Sequence, residues 1–426
     1  MPTRAGTKLS LLALSALLLP FTYAQTFTTL HTFENTDGAN PQAALIEDSA
    51  GNLYSTTQYG GAYQTGTTFR LSASEALTVL HSFGFPSTDG SRPSGALVAA
   101  RPGDFYGTTY TGGLYACGQF DEDQCGTVFQ VDGSGNESVV YSFGTAANDG
   151  QNPTGGLIRG SDGNFYGTTE RGGATYDGVV YELSPSGTET VIYTFQGGTD
   201  GANPNGPLVM DAAGNLWGTT LAGGGSATCS GGCGTVFRLH RTATGWAETV
   251  TYRFSGGADG AVPSPLAYDS RGGAFYGVTN TGGNSSGCLY LGNTTGCGTI
   301  FRLDASGTKE TVLHDFSGQA DGGQPVASLV LDARGNLWGT TTMGGDLNCP
   351  ASDNGCGTVF VRSADGQFVT LHTFTGGADG AVPNGALLID LKKSALYGTT
   401  TVGGDPNCQT QEGGGPGCGT VFQITP

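Results

Sequence analysis

One repeated motif leaves this chain few folds to choose from. An Asp-Gly-x-x-Pro segment starts at Asp37, Asp89, Asp149, Asp200, Asp259, Asp321 and Asp379, six steps with a mean pitch of 57 residues. Each unit then carries four short apolar runs. The first follows the proline, as in GALV (95–98) and SLVL (328–331). The second is of [LF]-[YW]-G-T-T type, as in FYGTT (105–109) and LWGTT (216–220). The third resembles GTVFRL (234–239) and the fourth TVLHSF (78–83). Runs of four to six residues, rich in β-branched and aromatic side chains and bounded by Gly, Asp, Asn or Ser, read as strands joined by tight turns. Four antiparallel strands per unit, repeated seven times, is the pattern of a β-propeller.

The repeat is offset by one strand. TTLHTF (28–33) matches the fourth run before any first run has appeared, and GTVFQI (419–424) is a third run with no fourth after it. Joining the two completes seven blades and leaves no open sheet edge. An open solenoid would instead want capping repeats at both ends. The expected fold is therefore an all-β, seven-bladed propeller of four-stranded antiparallel blades, its ring closed by the N-terminal strand (28–33).

Composition agrees once the repeat is recognised. Glycine supplies 76 of 426 residues without a three-residue period, so collagen is excluded. Aromatic residues at 10% argue against a disordered chain. The glycine of the Y-G-T-T run is expected to let blades converge on the axis. Against 17 Lys and Arg stand 35 Asp and Glu, a formal charge of −18, which disfavours nucleic acid and anionic membranes as partners.

Residues 1–24 read as a secretory signal peptide. Arg4 and Lys8 form the basic region, LSLLALSALLLPF (9–21) the apolar one, and Thr22-Tyr23-Ala24 the cleavage site. The apolar run is too short for a membrane span. Cleavage would remove those two cations and move the charge from −18 to −20. Residues 25–426 are then expected to form one exported propeller domain.

The spaced motifs D-G-x-x-P, L-[YW]-G-T-T-x-x-G-G, G-T-V-F and T-V-L-H-x-F, recurring in order over residues 26–425, resemble the GloVer tandem repeat of secreted bacterial proteins. Departures are small: Ser55 replaces the strand glycine, and GVVYEL (178–183) replaces GTVF. The resemblance implies export and a propeller-like repeat, and it implies no activity.

The ten cysteines fall as Cys117/Cys125, Cys229/Cys233, Cys288/Cys297, Cys349/Cys356 and Cys408/Cys418, always between the second and third runs. Each unit has two or none, which selects consecutive pairing. Each bridge closes a small loop, worth about 2–2.5 kcal/mol on a loop-entropy model. Zinc fits less well, since each loop offers two thiols and no histidine.

The cysteine loops and the Asp-Gly-x-x-Pro loops should open on one face, and variable loops on a rigid scaffold are where function usually sits. The bridged loops are accordingly expected to belong to a binding face. Two positions vary between units there. After the Y-G-T-T run stand Gln58, Tyr110, Glu170, Leu221, Asn280, Thr342 and Thr401; before the proline stand Asn40, Arg92, Asn152, Asn203, Val262, Gln324 and Val382. Arg92, Tyr110, Glu170, Arg171, Asn280 and Gln324 are the candidate binding residues, set against ordinary drift at exposed loop positions. The seven Asp-Gly aspartates would form an anionic ring, or simply cap their own turns. The acidic stretch FDED (120–123) lacks the alternating oxygen ligands of a calcium loop. His31, His81, His314 and His372 share one repeat position with Tyr141, Tyr193 and Tyr252, which suits an amphipathic strand site better than a catalytic base.

No nucleophile elbow, phosphate loop or His-rich ligand spacing is present, so no catalytic residue, metal or cofactor is assigned. A secreted, monomeric, non-enzymatic binding or scaffold protein for extracellular glycan or an envelope protein is the leading expectation. A propeller hydrolase or lyase acting on polysaccharide needs paired carboxylates or a positioned base, for which Glu170 with Arg171 is thin support. A purely structural surface protein is the third reading.

Overall fold

The computed structural model describes residues 25–117, 124–285, 288, 296–409 and 416–425. It shows seven antiparallel sheets of four or five strands in sequence order around a ring, with a two-stranded sheet, Gly150–Gln151 and Arg171–Gly172, beside the third. The first blade runs Ile46–Glu47, Leu53–Thr57, Thr67–Leu71 and Leu77–Ser82. The second runs Val98–Arg101, Asp104–Gly112, Thr127–Asp132 and Glu137–Ser142. The last takes Leu388–Asp390, Ala395–Thr400 and Thr420–Thr425 from the C-terminal end and Thr26–Thr32 from the N-terminal end. Thr26 pairs with Thr425 and Thr32 with Thr420, so the ring closes as expected, with the closing strand starting two residues early. Signal-peptide residues 1–24 and the FDED stretch lie outside the described residues. No helix among the described residues is long and apolar enough to cross a membrane.

Aromatic contacts hold neighbouring blades together. The phenylalanine just after each fourth strand meets, edge to face, the ring of the next blade's third strand. The pairs are Phe33–Phe69, Phe83–Phe129, Phe143–Tyr181, Phe195–Phe237, Phe254–Phe301, Phe316–Phe360 and Phe374–Phe422, with centroids 4.9–5.3 Å apart. All fourteen rings are buried. Such pairs contribute about 0.5–1.5 kcal/mol beyond their area burial.

The Y-G-T-T glycine serves this packing and not convergence on the axis. A Cβ on Gly107 would sit 2.5 Å from the ring of Phe129, its cross-strand partner, and 2.9 Å from Leu97. The glycine makes room for the ring that covers it. The residues two after the proline crowd one another from unit to unit: a Cβ on Gly155 would lie 2.2 Å from Gly206, and one on Gly206 2.0 Å from Pro265. That crowding also explains why the first strands are only two to four residues long and start late, at Val98 and Val330.

Each Asp-Gly aspartate is held by the fourth strand of the preceding blade. His31, His81, His314 and His372 bond Asp37, Asp89, Asp321 and Asp379 through Nε2 at 2.8–3.2 Å. Tyr141, Tyr193 and Tyr252 donate to Asp149, Asp200 and Asp259 at 2.7–3.1 Å. The same carboxylates accept backbone N–H groups of their turns, as Asp89 does from Gly84 and Asp379 from Thr375. Turn capping is their role, and the His/Tyr exchange is explained by two donors of similar reach.

The five consecutive disulfides are present as expected: Cys117–Cys125, Cys229–Cys233, Cys288–Cys297, Cys349–Cys356 and Cys408–Cys418. Such bridges belong to an oxidising, non-cytoplasmic compartment. The bridges themselves are packed inside the loops they close. The later cysteine of every pair, Cys125, Cys233, Cys297, Cys356 and Cys418, is fully buried. Cys117, Cys288, Cys349 and Cys408 are buried as well, and Cys229 is part-buried. The reason is position: the later cysteine leads directly into the third strand and so enters the packing between blades. Cys117 and Cys125 join the core around Val128 and Phe143, and Cys408 and Cys418 the core around Phe33 and Val421. The bridges brace the face from beneath.

Four fourth strands carry a part-buried glutamate in their first half, facing the preceding blade's His or Tyr and its Asp-Gly aspartate. Burial, reinforced by the charge of Asp89, pushes Glu137 up to about 7 against the pull of His81. Burial and Asp149 push Glu189 to about 8, burial and Asp200 push Glu248 to about 7, and burial and Asp259 push Glu310 to about 7. A carboxyl raised in the folded state contributes stability that is full below its ordinary value of 4.5 and is lost as pH rises through 7–8. Burial also pushes Asp321 and Asp379 up, but hydrogen bonds from His314 and His372 leave both below the ordinary carboxylate value. Their contribution is lost only in acid. The thermal midpoint should therefore fall between about pH 5.5 and 8.5. The triple variant Glu189→Gln, Glu248→Gln, Glu310→Gln should flatten that fall, and an unchanged slope would contradict the assignment.

Candidate functional site

The Asp-Gly-x-x-Pro segments are less free than loop composition suggests. Gly90–Pro93 pairs with the end of Asp104–Gly112, Ala202–Pro204 with Leu216–Ala222, and Ala261–Pro263 with Ala274–Thr281. The residue before each proline also reaches back to the preceding blade. Its N–H bonds the carbonyl just before that blade's third-strand Gly-Thr or Gly-Val. Arg92 bonds Thr65 in this way, Asn152 bonds Cys125, Val262 bonds Cys233, Gln324 bonds Cys297 and Asn40 bonds Cys418, all at 2.8–2.9 Å. The buried cysteines thus also supply the acceptor for the next unit. This geometry demands a left-handed backbone: φ is 51–57° at Asn40, Arg92, Asn152, Asn203, Val262, Gln324 and Val382 alike. Asparagine suits the position twice over, because it tolerates that conformation and its amide finds a carbonyl. Asn40, Asn152 and Asn203 donate to the carbonyls of Thr401, Tyr110 and Glu170 at 2.9–3.1 Å. Variation before the proline thus decorates a fixed structural joint.

The six candidate residues divide. Tyr110 donates to Glu170 Oε2 at 3.3 Å, and Arg171 Nε lies 4.0 Å from Glu170 Oε1, so three of them form one constellation across the second and third blades. Their side chains are part-exposed, Glu170 at 23% and Arg171 at 39%. Arg92 lies over the ring of Tyr59 on the first blade, its guanidinium carbon 5.7 Å from the centroid. Asn280 and Gln324, on the fifth and sixth blades, are buried, at 8% and 3% exposure. No contact joins them to the other four among those observed.

The disulfide loops share this face. A Cβ on Gly256 would touch both sulfurs of Cys229–Cys233, and one on Gly376 those of Cys349–Cys356, placing each bridge against the approach to an Asp-Gly turn. The same face presents side chains outside the candidate set. Tyr63, Phe85, Leu114, Tyr115 and Tyr176 are 41–65% exposed, all on loops of the first three blades. Tyr63 and Phe85 stack at 5.6 Å. The sequence signal was available: the short cysteine-free loops GGAYQTG and GGATYDG each carry a tyrosine where neither a bridge nor a core calls for one. On the opposite face, where only short turns were expected, Arg101, Asp104, Tyr106, Gln130, Arg159 and Pro185 line a cleft between the second and third blades.

The Gloeobacter/Verrucomicrobia repeat matches residues 17–121, 117–291 and 287–426. The chain belongs to that family. No curated protein matches. Among solved structures, a streptogramin B lyase aligns over 94% of this chain and 97% of its own, with a TM-score of 0.56 at 13% identity. Virginiamycin B lyase from Staphylococcus aureus aligns over 94% and 99%, with a TM-score of 0.55 at 11% identity. At such identities the likeness establishes the propeller fold alone, and fold does not carry activity.

The shared left-handed joint makes a direct prediction. Val262 and Val382 are β-branched residues at φ 57° and 56°, a conformation costing such side chains about 1–2 kcal/mol. Val262→Asn should raise the urea midpoint by the equivalent of about 1 kcal/mol. A midpoint unchanged or lowered would show that the joint is not strained.

Proposed function

We propose that this chain is an exported, non-enzymatic binding or scaffold propeller that recognises extracellular glycan or an envelope protein through its disulfide-bridged face. The carrying observation is the run of exposed aromatic side chains on the first three blades, beside the Tyr110–Glu170–Arg171 constellation. Exposed aromatic surface on a rigid scaffold marks interaction sites more often than chance does. Tyrosine supplies an apolar face for sugar rings or protein side chains together with a polar tip. Glu170 and Arg171 add hydrogen-bonding capacity next to it. The five disulfides and the N-terminal signal-peptide pattern support export.

A glycan array read beside an activity screen on soluble polysaccharides tests this reading. Binding without turnover is expected, with Tyr110→Ala and Arg92→Ala each weakening it about tenfold, a loss of about 1.4 kcal/mol. Turnover would favour the polysaccharide hydrolase or lyase. Binding undisturbed by both variants would remove the site. Absence of any glycan or envelope-protein ligand would favour a purely structural surface protein.

A further inference from the structure

The clasp between the first and second blades differs from the other six. A residue in the first half of the fourth strand faces the preceding blade's His or Tyr. Where histidine precedes, that neighbour is usually apolar: Phe368 stacks on His314 and Phe27 on His372, both with centroids 3.9 Å apart. Where tyrosine precedes, it is glutamate, with Glu189 following Tyr141, Glu248 following Tyr193 and Glu310 following Tyr252. Only His81 is followed by a glutamate, Glu137.

Three ligand types therefore meet at one point. His81 Nε2 lies 3.0 Å from Asp89 Oδ2 and 3.9 Å from Glu137 Oε2, and one ligating atom from each residue lies within 4.8 Å of the others. It is the one such trio of His, Cys, Asp or Glu found among the described residues. The side chains of Asp89 and Glu137 are only 2% and 9% exposed, so two carboxylates share a nearly dry site. Glu137 Oε1 is buried without a hydrogen-bond partner. The equivalent oxygens of Glu189, Glu248 and Glu310 are also unpartnered, but there a phenol stands in place of the imidazole. Two nearly buried carboxyl groups thus meet one imidazole, with no lysine or arginine seen to contact either of them.

We propose that His81, Asp89 and Glu137 form a divalent cation site, of the zinc type, that bridges the first and second blades. One imidazole and two carboxylates without a thiol suit that ion, leaving a fourth position for water on the side where His81 is 20% exposed. Tetrahedral ligand atoms at about 2.0–2.2 Å from an ion lie about 3.3–3.6 Å apart, so His81 and Asp89, now at 3.0 Å, would part slightly to admit it and Glu137, at 3.9 Å from His81, would draw in. Supporting contacts already hold two ligands. Gly84 and Gly90 donate to Asp89 at 3.0 and 2.7 Å, and Phe83 packs edge-on against the His81 ring at 4.8 Å. The ion would tie together blades whose first member has no disulfide.

The ring provides its own test variants. His81→Tyr reproduces the tyrosine–glutamate arrangement of three other clasps, and Glu137→Phe the histidine–phenylalanine arrangement of two. Calorimetric titration of the metal-stripped full chain with zinc should give one ion per chain and a raised thermal midpoint. Both variants should fold, bind zinc at least tenfold more weakly and lose the rise, whereas His372→Tyr should behave as the native chain. Zinc-edge X-ray absorption on the loaded native chain, which needs no variant, should show one imidazole among oxygen ligands. No stoichiometric binding, equal binding by both variants, or a spectrum without imidazole would overturn the proposal.

Discussion

The ring depends on one contact made seven times: a phenylalanine leaving one blade set edge-on against an aromatic ring in the middle of the next. The rest of each unit can be read outward from it. The third-strand ring lies over a small second-strand residue, glycine in six blades and Ser55 in the first, and a Cβ on the glycine would press on that ring. The histidine or tyrosine two residues before the phenylalanine that follows the fourth strand packs edge-on against it and reaches the Asp-Gly turn that starts the next blade. That turn feeds a left-handed residue and a proline, which dock on the blade just completed. Each unit is thereby fastened to its neighbour by packing, by a charged hydrogen bond and by backbone.

Most of this architecture was legible because repetition substitutes for depth of sampling. Seven copies expose which positions are fixed, and the one-strand offset between TTLHTF (28–33) and GTVFQI (419–424) announces closure outright. The glycines were the weaker point. Glycine in Y-G-T-T and glycine two after proline look alike in composition, yet one accommodates a cross-strand ring and the other a neighbouring backbone. Strand pairing across one blade and contact between two blades cannot be told apart from spacing along a single chain.

The candidate site was legible in part, for a related reason. Variation between repeats identifies positions that the scaffold leaves open, and it found Tyr110, Glu170 and Arg171 together. It also picked Gln324 and Asn280, which vary between units yet are buried. The cysteines were legible as pairs but not as core residues: lying between two runs they read as loop, while Cys125 and Cys418 in fact pack inside. The left-handed joint was hidden because its conformation is set by a hydrogen bond to the preceding blade, while the residue itself ranges from asparagine to valine. The exposed tyrosines and the His81–Asp89–Glu137 meeting were missed because they lie outside the two positions compared, or join residues of different units.

The central claim is that the N-terminal strand is a full member of the last blade and closes a seven-part ring. Hydrogen–deuterium exchange on the native chain tests it most directly, because local opening of a terminal arm would be seen amide by amide. Closure predicts that the hydrogen-bonded amides of Thr26–Thr32 are protected to the same degree as those of the equivalent interior strand Leu77–Ser82. Exchange of the N-terminal strand orders of magnitude faster, with the interior strands still protected, would contradict it.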